Sequence, residues 1–94
     1  MLQVGLLGAG DVAELHAAAV QRCAGAELRS LWNRSAGRGR ERAEQFGCRF
    51  VATAEALVED PALDCVFVLT NLETHRHFAD LAMRHGKHVL VEKP

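Results

Sequence analysis

The sequence contains no run near the ~20 consecutive apolar residues that a membrane-spanning helix requires, and glycines interrupt the apolar stretch that follows Met1. A soluble protein without an export leader, and with no membrane partner, is therefore expected. An excess of either charge is also missing: 11 Lys and Arg stand against 12 Asp and Glu. A nucleic-acid binder normally carries a long-range positive field, so nucleic acid is not expected as a partner. Cysteine pairing is absent as well. Cys23, Cys48 and Cys65 are odd in number, widely spaced and set in apolar runs with no C-x-x-C, which predicts reduced core residues in a cytoplasmic protein. His77, His85 and His88 do not combine with nearby acids at metal-ligand spacing, so no metal is expected. The chain also lacks low-complexity tracts.

What is present is 94 residues, 49% of them apolar, enough for one domain with a core of its own. "LQVGLLG" (2–8) is a short apolar run closed by glycine, and "VAELHAAAVQRC" (12–23) then carries apolar groups at helical spacing. A strand over 26–33, an arginine-rich helix over 35–47 capped by Ser35, and a brief strand in "CRFV" follow. The pattern continues with a short helix over 53–60 capped by Thr53, the most apolar strand over 63–70, and a helix over 73–86 stopped by Gly86. "KHVLVE" supplies a fifth strand. Apolar strands alternating with helices predict an α/β fold: a doubly wound, Rossmann-like parallel sheet in the order 3-2-1-4-5. Ligands of such sheets lie beyond the carboxyl ends of the strands, where the strand order reverses, here between strands one and four.

"GAGDVA" (Gly8 to Ala13) matches G-x-G-x-x-A between a strand and a helix, the context its mechanism requires. Gly8 permits the tight turn, Gly10 admits the diphosphate of a dinucleotide, and Ala13 permits close helix packing. The phosphates would meet free N–H groups of Ala9 to Val12 at the helix start. Asp11 is expected to point away from an anion placed there. The residue ending strand two, where a carboxylate grips the ribose 2′-hydroxyl of NAD, is the neutral Asn33, followed by Arg34 and Ser35. That combination favours NADP, with NAD as the other candidate cofactor, and Arg34 offers both charge and a planar face. Arg38 reads equally as a phosphate contact or as part of a solvated face.

Together, "GLLGAGDVAELH", "LWNRS", "VFVLTNLETH" and "GKHVLVEKP" resemble the N-terminal dinucleotide-binding domain of the Gfo/Idh/MocA oxidoreductases, over the whole chain. The resemblance implies an NAD(P)-dependent enzyme that moves a hydride to or from a sugar, cyclitol or similar polyol. It implies that residues 1–94 are that domain, truncated and inactive alone, since family members are longer and carry a substrate domain. It places Lys93 beside the nicotinamide and substrate as the catalytic residue, with Glu92 its neighbour, and puts Thr70, Asn71 and His75 at the cofactor loop. Thr70-Asn71-Leu72 departs from the family's Thr-Pro-Asn. His75 reads either as a cofactor contact or as a helix-start histidine that fixes the loop, whereas His16 reads as packing. The competing reading is a nucleotide-binding sensor or interaction module without turnover. Self-association through the edge of strand five is expected, which makes a homo-oligomer the anticipated assembly.

Overall fold

Apolar runs only four to seven residues long cannot cover a helix on all sides, but as strands they feed two cores at once, because successive side chains point to opposite faces. The computed structural model, which describes residues 1–91, shows this division. Five strands, β1 (Leu2–Leu7), β2 (Ala26–Trp32), β3 (Arg49–Phe50), β4 (Cys65–Val68) and β5 (His88–Val91), alternate with helices α1 (Asp11–Arg22), α2 (Ala36–Phe46), α3 (Ala54–Val58) and α4 (Leu72–Arg84). The strands pair in parallel in the order β3-β2-β1-β4-β5, the order expected from the sequence.

On one face Val4, Leu6, Leu28, Leu31 and Cys65 pack with Ala13, Ala17 and Val20 of α1 and Phe46 of α2. On the other, Leu7, Val66 and Val68 meet Ala54, Leu57 and Val58 of α3 and Leu81 and Ala82 of α4. Leu6 and Leu7 are adjacent, both fully buried, and belong to different cores. Burying both faces explains why β4 and the Val4–Leu7 part of β1 read as continuous apolar runs without polar alternation.

The caps at Ser35 and Thr53 and the stop at Gly86 are those anticipated, and Asn71 adds a cap that was not. Ser35, Thr53 and Asn71 cap α2, α3 and α4 by accepting from Arg38 N, Ala56 N and Thr74 N. Gly86 follows α4 with φ +74°. The Asn71 cap supplies the reason for the departure at Thr70-Asn71-Leu72: an acceptor side chain there starts the helix at Leu72, one residue earlier than the periodicity suggested.

One expectation fails. Cys23 is exposed and Cys48 half-buried, and only Cys65 is buried. Cys23 is the C-cap of α1, where the chain turns through solvent before β2, so its apolar neighbours in sequence are not neighbours in the core. Among the described residues no helix is long and apolar enough to cross a membrane.

Candidate dinucleotide site at the carboxyl ends of β1, β2 and β4

β1 lies between β2 and β4, and the connections leaving its two neighbours run to opposite sides, which opens a crevice above their carboxyl ends. A cavity of about 520 Å³ occupies that position. Its floor is the turn Gly8, Ala9 and Gly10. One wall is Trp32, Asn33 and Arg34, and the other is Leu69, Thr70, Asn71, Thr74 and Phe78.

The two glycines of the turn differ in what they satisfy. Gly8 has φ +114°, and a Cβ there would stand 2.9 Å from the carbonyl carbon and oxygen of Leu69. The protein itself therefore requires glycine at this position, because the end of β1 touches the segment leaving β4. Gly10 has φ −75°, and a Cβ there would meet nothing within 4 Å. No contact among the described residues calls for glycine at residue 10; the space it leaves open faces the crevice and fits the close backbone approach of a diphosphate.

Gly10 is also the N-cap of α1, and it offers no side-chain acceptor. The other three helices are capped by side chains. The Ala13 N–H donates to the Gly10 carbonyl and the Ala9 N–H, expected from the sequence to be free, is taken by Asn33, so among the described residues the N–H groups of Asp11 and Val12, with the positive dipole end, are left to suit an external anion.

Asn33 joins the walls to the floor. Its Oδ1 accepts from Ala9 N at 3.0 Å and its Nδ2 donates to the Ser35 carbonyl at 3.1 Å. Packing of α2 against it depends on Gly39, where a Cβ would lie 2.5 Å from Phe50 Cε1 and 3.0 Å from Asn33 Cβ. Arg34 is exposed beside the crevice, and Ser35 is spent on its cap. No carboxylate lines this cavity among the described residues.

Arg38, in the first turn of α2, is not among the residues that line this cavity. Its Nε donates to the Ala9 carbonyl at 3.1 Å, and Nη2 lies 3.6 Å from Asp11 Oδ1. Asp11 thus pairs with α2, its side chain fully exposed. Val12 is half-buried in the first turn of α1. His75 is buried, and its Nε2 donates to the Thr70 carbonyl at 2.5 Å. A carbonyl can only accept, so this nitrogen carries its proton, and the ring braces the loop from below. Thr70 Oγ1 is buried and has no partner among the described residues, a donor and acceptor left over in a cavity-lining residue. His16 stands edge-on to Phe67, with centroids 5.4 Å apart. Glu92 and Lys93 lie outside the described residues, and none of the described residues forms a metal-binding cluster.

Four lining residues escaped the sequence reading: Trp32, Leu69, Thr74 and Phe78. The Trp32 and Phe78 rings meet at a tilt of 53° with centroids 5.2 Å apart and form the apolar end of the crevice. A signal existed, since Thr74 and Phe78 are four apart on α4 and so share a face, and Trp32 directly precedes Asn33.

Comparison with known proteins gives the same picture. The chain is 42% identical over 91 residues to the 1,5-anhydro-D-fructose reductase of Ensifer adhaerens, covering 96% of this chain and 27% of that protein. It is 32% identical to the inositol 2-dehydrogenase of Rhizobium meliloti, covering 99% of this chain and 28% of that enzyme. Among solved structures, a 3-ketoreductase from Actinomadura kijaniata, crystallised with NADP and TDP-benzene, superposes with a TM-score of 0.92 at 33% identity, covering 99% of this chain and 29% of that one. The chain thus spans between a quarter and a third of the length of these relatives. The model of the oxidoreductase family with an NAD-binding Rossmann fold matches residues 2–94, and the chain belongs to this family, the Gfo/Idh/MocA oxidoreductases.

Proposed function

We propose that this chain is the cofactor-binding part of an NADP-dependent oxidoreductase acting on a sugar, cyclitol or related polyol in the cytoplasm. The observation that carries the cofactor choice is Asn33. Its amide is committed to Ala9 and Ser35, so the end of β2 offers no carboxylate to repel a 2′-phosphate. Arg34 stands next to it, exposed at the cavity wall, where a guanidinium can engage that phosphate and lie flat against adenine. The empty volume over Gly10 and the uncapped amino end of α1 suit the diphosphate. Trp32, Leu69 and Phe78 exclude water from the adenine side.

Bound nicotinamide supplies the hydride chemistry. The chain's share is to hold the dinucleotide in register and, through Lys93, to hydrogen-bond the reacting oxygen and assist its proton transfer. This role for Lys93 rests on the family resemblance of "GKHVLVEKP". The polyol class rests on the relatives, which include reductases and dehydrogenases of sugars and inositol.

Titration calorimetry with NADP and NAD tests the reading. One charge-assisted phosphate contact is worth ~1.5–3 kcal/mol, which is roughly 10- to 150-fold in affinity, and Arg34's exposure sets the expectation at the low end. Arg34→Ala should erase most of the difference. Equal or tighter binding of NAD would overturn the NADP assignment. In the protein carrying its substrate domain, Lys93→Met should lower turnover by roughly 10²–10⁴ while leaving NADP affinity within a few-fold.

A further inference from the structure

The carbonyl of Ala9 and the carboxylate of Asp11 flank Gly10, and one side chain from α2 holds both. Arg38 Nε donates to the Ala9 carbonyl at 3.1 Å, and Nη2 stands 3.6 Å from Asp11 Oδ1. The peptide between Ala9 and Gly10 is planar and trans, so fixing its carbonyl toward α2 directs the Gly10 N–H the opposite way. Asp11 suits the dipole of α1, yet its negative charge sits one residue from where a diphosphate would lie.

We propose that Arg38 is a positioning residue of the diphosphate site. It orients the Ala9–Gly10 peptide and neutralises Asp11, and it thereby sets the affinity for the portion that NAD and NADP have in common. This inference rests on the dinucleotide reading above. The two arginines then have separate roles, since Arg34 distinguishes the two cofactors and Arg38 serves both. A second pair between the same helices, Arg42 Nη1 to Glu14 Oε2 at 3.5 Å, lies one turn further along and touches neither Ala9 nor Gly10. It is an internal control for a purely structural effect.

The experiment is calorimetric titration of the chain with NAD and with NADP separately, alongside thermal melts. Arg38→Ala should weaken both cofactors by the same factor, roughly 3- to 10-fold. Adding Asp11→Asn to Arg38→Ala should recover part of that loss, whereas Asp11→Asn alone should change affinity less, because Arg38 already offsets the charge. Arg38→Lys should rescue partially, since one ammonium cannot reproduce both contacts at their separate positions. Glu14→Gln should leave both affinities unchanged. A loss confined to NADP would overturn the proposal and assign Arg38 to the 2′-phosphate. No loss for either cofactor, or an equal gain from Asp11→Asn with and without Arg38, would also overturn it. A wild-type chain that binds neither cofactor would overturn the dinucleotide reading, and this inference with it.

Discussion

Asn33 Oδ1 accepts a hydrogen bond from the backbone N–H of Ala9 at 3.0 Å, so the residue that ends the second strand determines the shape of the turn that ends the first. Ala9 is fully buried with Asn33 in place, and Asn33 is itself half-buried at the cavity wall, so truncation removes the bond but admits cavity water to the N–H. Asn33→Ala should therefore destabilise the chain by ~0.5–1.5 kcal/mol, the usual net worth of one hydrogen bond, seen as a lower midpoint in urea. Asn33→Asp should retain the acceptor but place negative charge at the ribose end. The NADP-to-NAD affinity ratio should fall, and an unchanged ratio would locate cofactor discrimination elsewhere.

Gly8 and Gly10 should separate stability from binding. Gly8→Ala places a Cβ 2.9 Å from the Leu69 carbonyl at φ +114°. It should cost ~1–3 kcal/mol for the backbone conformation alone, with the overlap in addition. Gly10→Val adds a Cβ that meets nothing within 4 Å among the described residues, so its stability should fall by only about 1 kcal/mol, the cost of a poorer N-cap, while binding of both cofactors is lost. Denaturation curves and titrations on the same two proteins check this, and retained binding in Gly10→Val would mean that no diphosphate approaches that residue.

Arg29 Nε donates to Asp60 Oδ2 at 2.6 Å. This bond, ahead of smaller contributions that include the Ala62 N–H, holds the Asp60 carboxyl below the usual carboxylate range. A depressed folded-state value means that the charged form favours folding. The contribution is complete above the unfolded value of about 3.9 and is lost as pH falls through the lower folded value. The stability gap between wild type and Asp60→Asn should be full at neutral pH and close through the acid range. A gap independent of pH would show that Asp60 acts through shape rather than charge.

The three thiols should differ in reactivity. Burial pushes Cys48 up to about 11 and also raises Cys65, so at pH 8 both are held as the unreactive thiol. Cys23 is exposed. A chromogenic disulfide reagent should modify one thiol in a fast phase that Cys23→Ser removes. Fast modification of two or three thiols in the folded chain would contradict this burial pattern.

Local signals carried the architecture. Short apolar runs closed by glycine, Ser35 and Thr53 ahead of helical patterns, and Gly86 behind one each depend on a few neighbouring residues, so strand order and helix caps were legible in advance. The glycine turn was legible for the same reason, and Asn33 was identified by its distance from it. The motif already gave Gly8 the turn and Gly10 the open approach, and tertiary contact adds the partner: a Cβ at Gly8 would meet Leu69, while one at Gly10 would meet open space among the described residues.

By itself, then, the sequence determined the doubly wound sheet, the location of the crevice and the absence of a carboxylate at the end of β2, because these follow from periodicity and from position along the chain. Tertiary structure alone decided which partners the side chains meet. Gly39 reads as one more glycine in an arginine-rich helix until Phe50 and Asn33 are found against it. Arg38 reads equally as a phosphate contact or a solvated charge until Ala9 and Asp11, 29 and 27 positions earlier, come within reach. Cys23 looks like core until the chain turns it outward. The physical reason is common to all three: spacing along the chain specifies which face of its own element a residue occupies, while what lies opposite that face is set only when the elements pack.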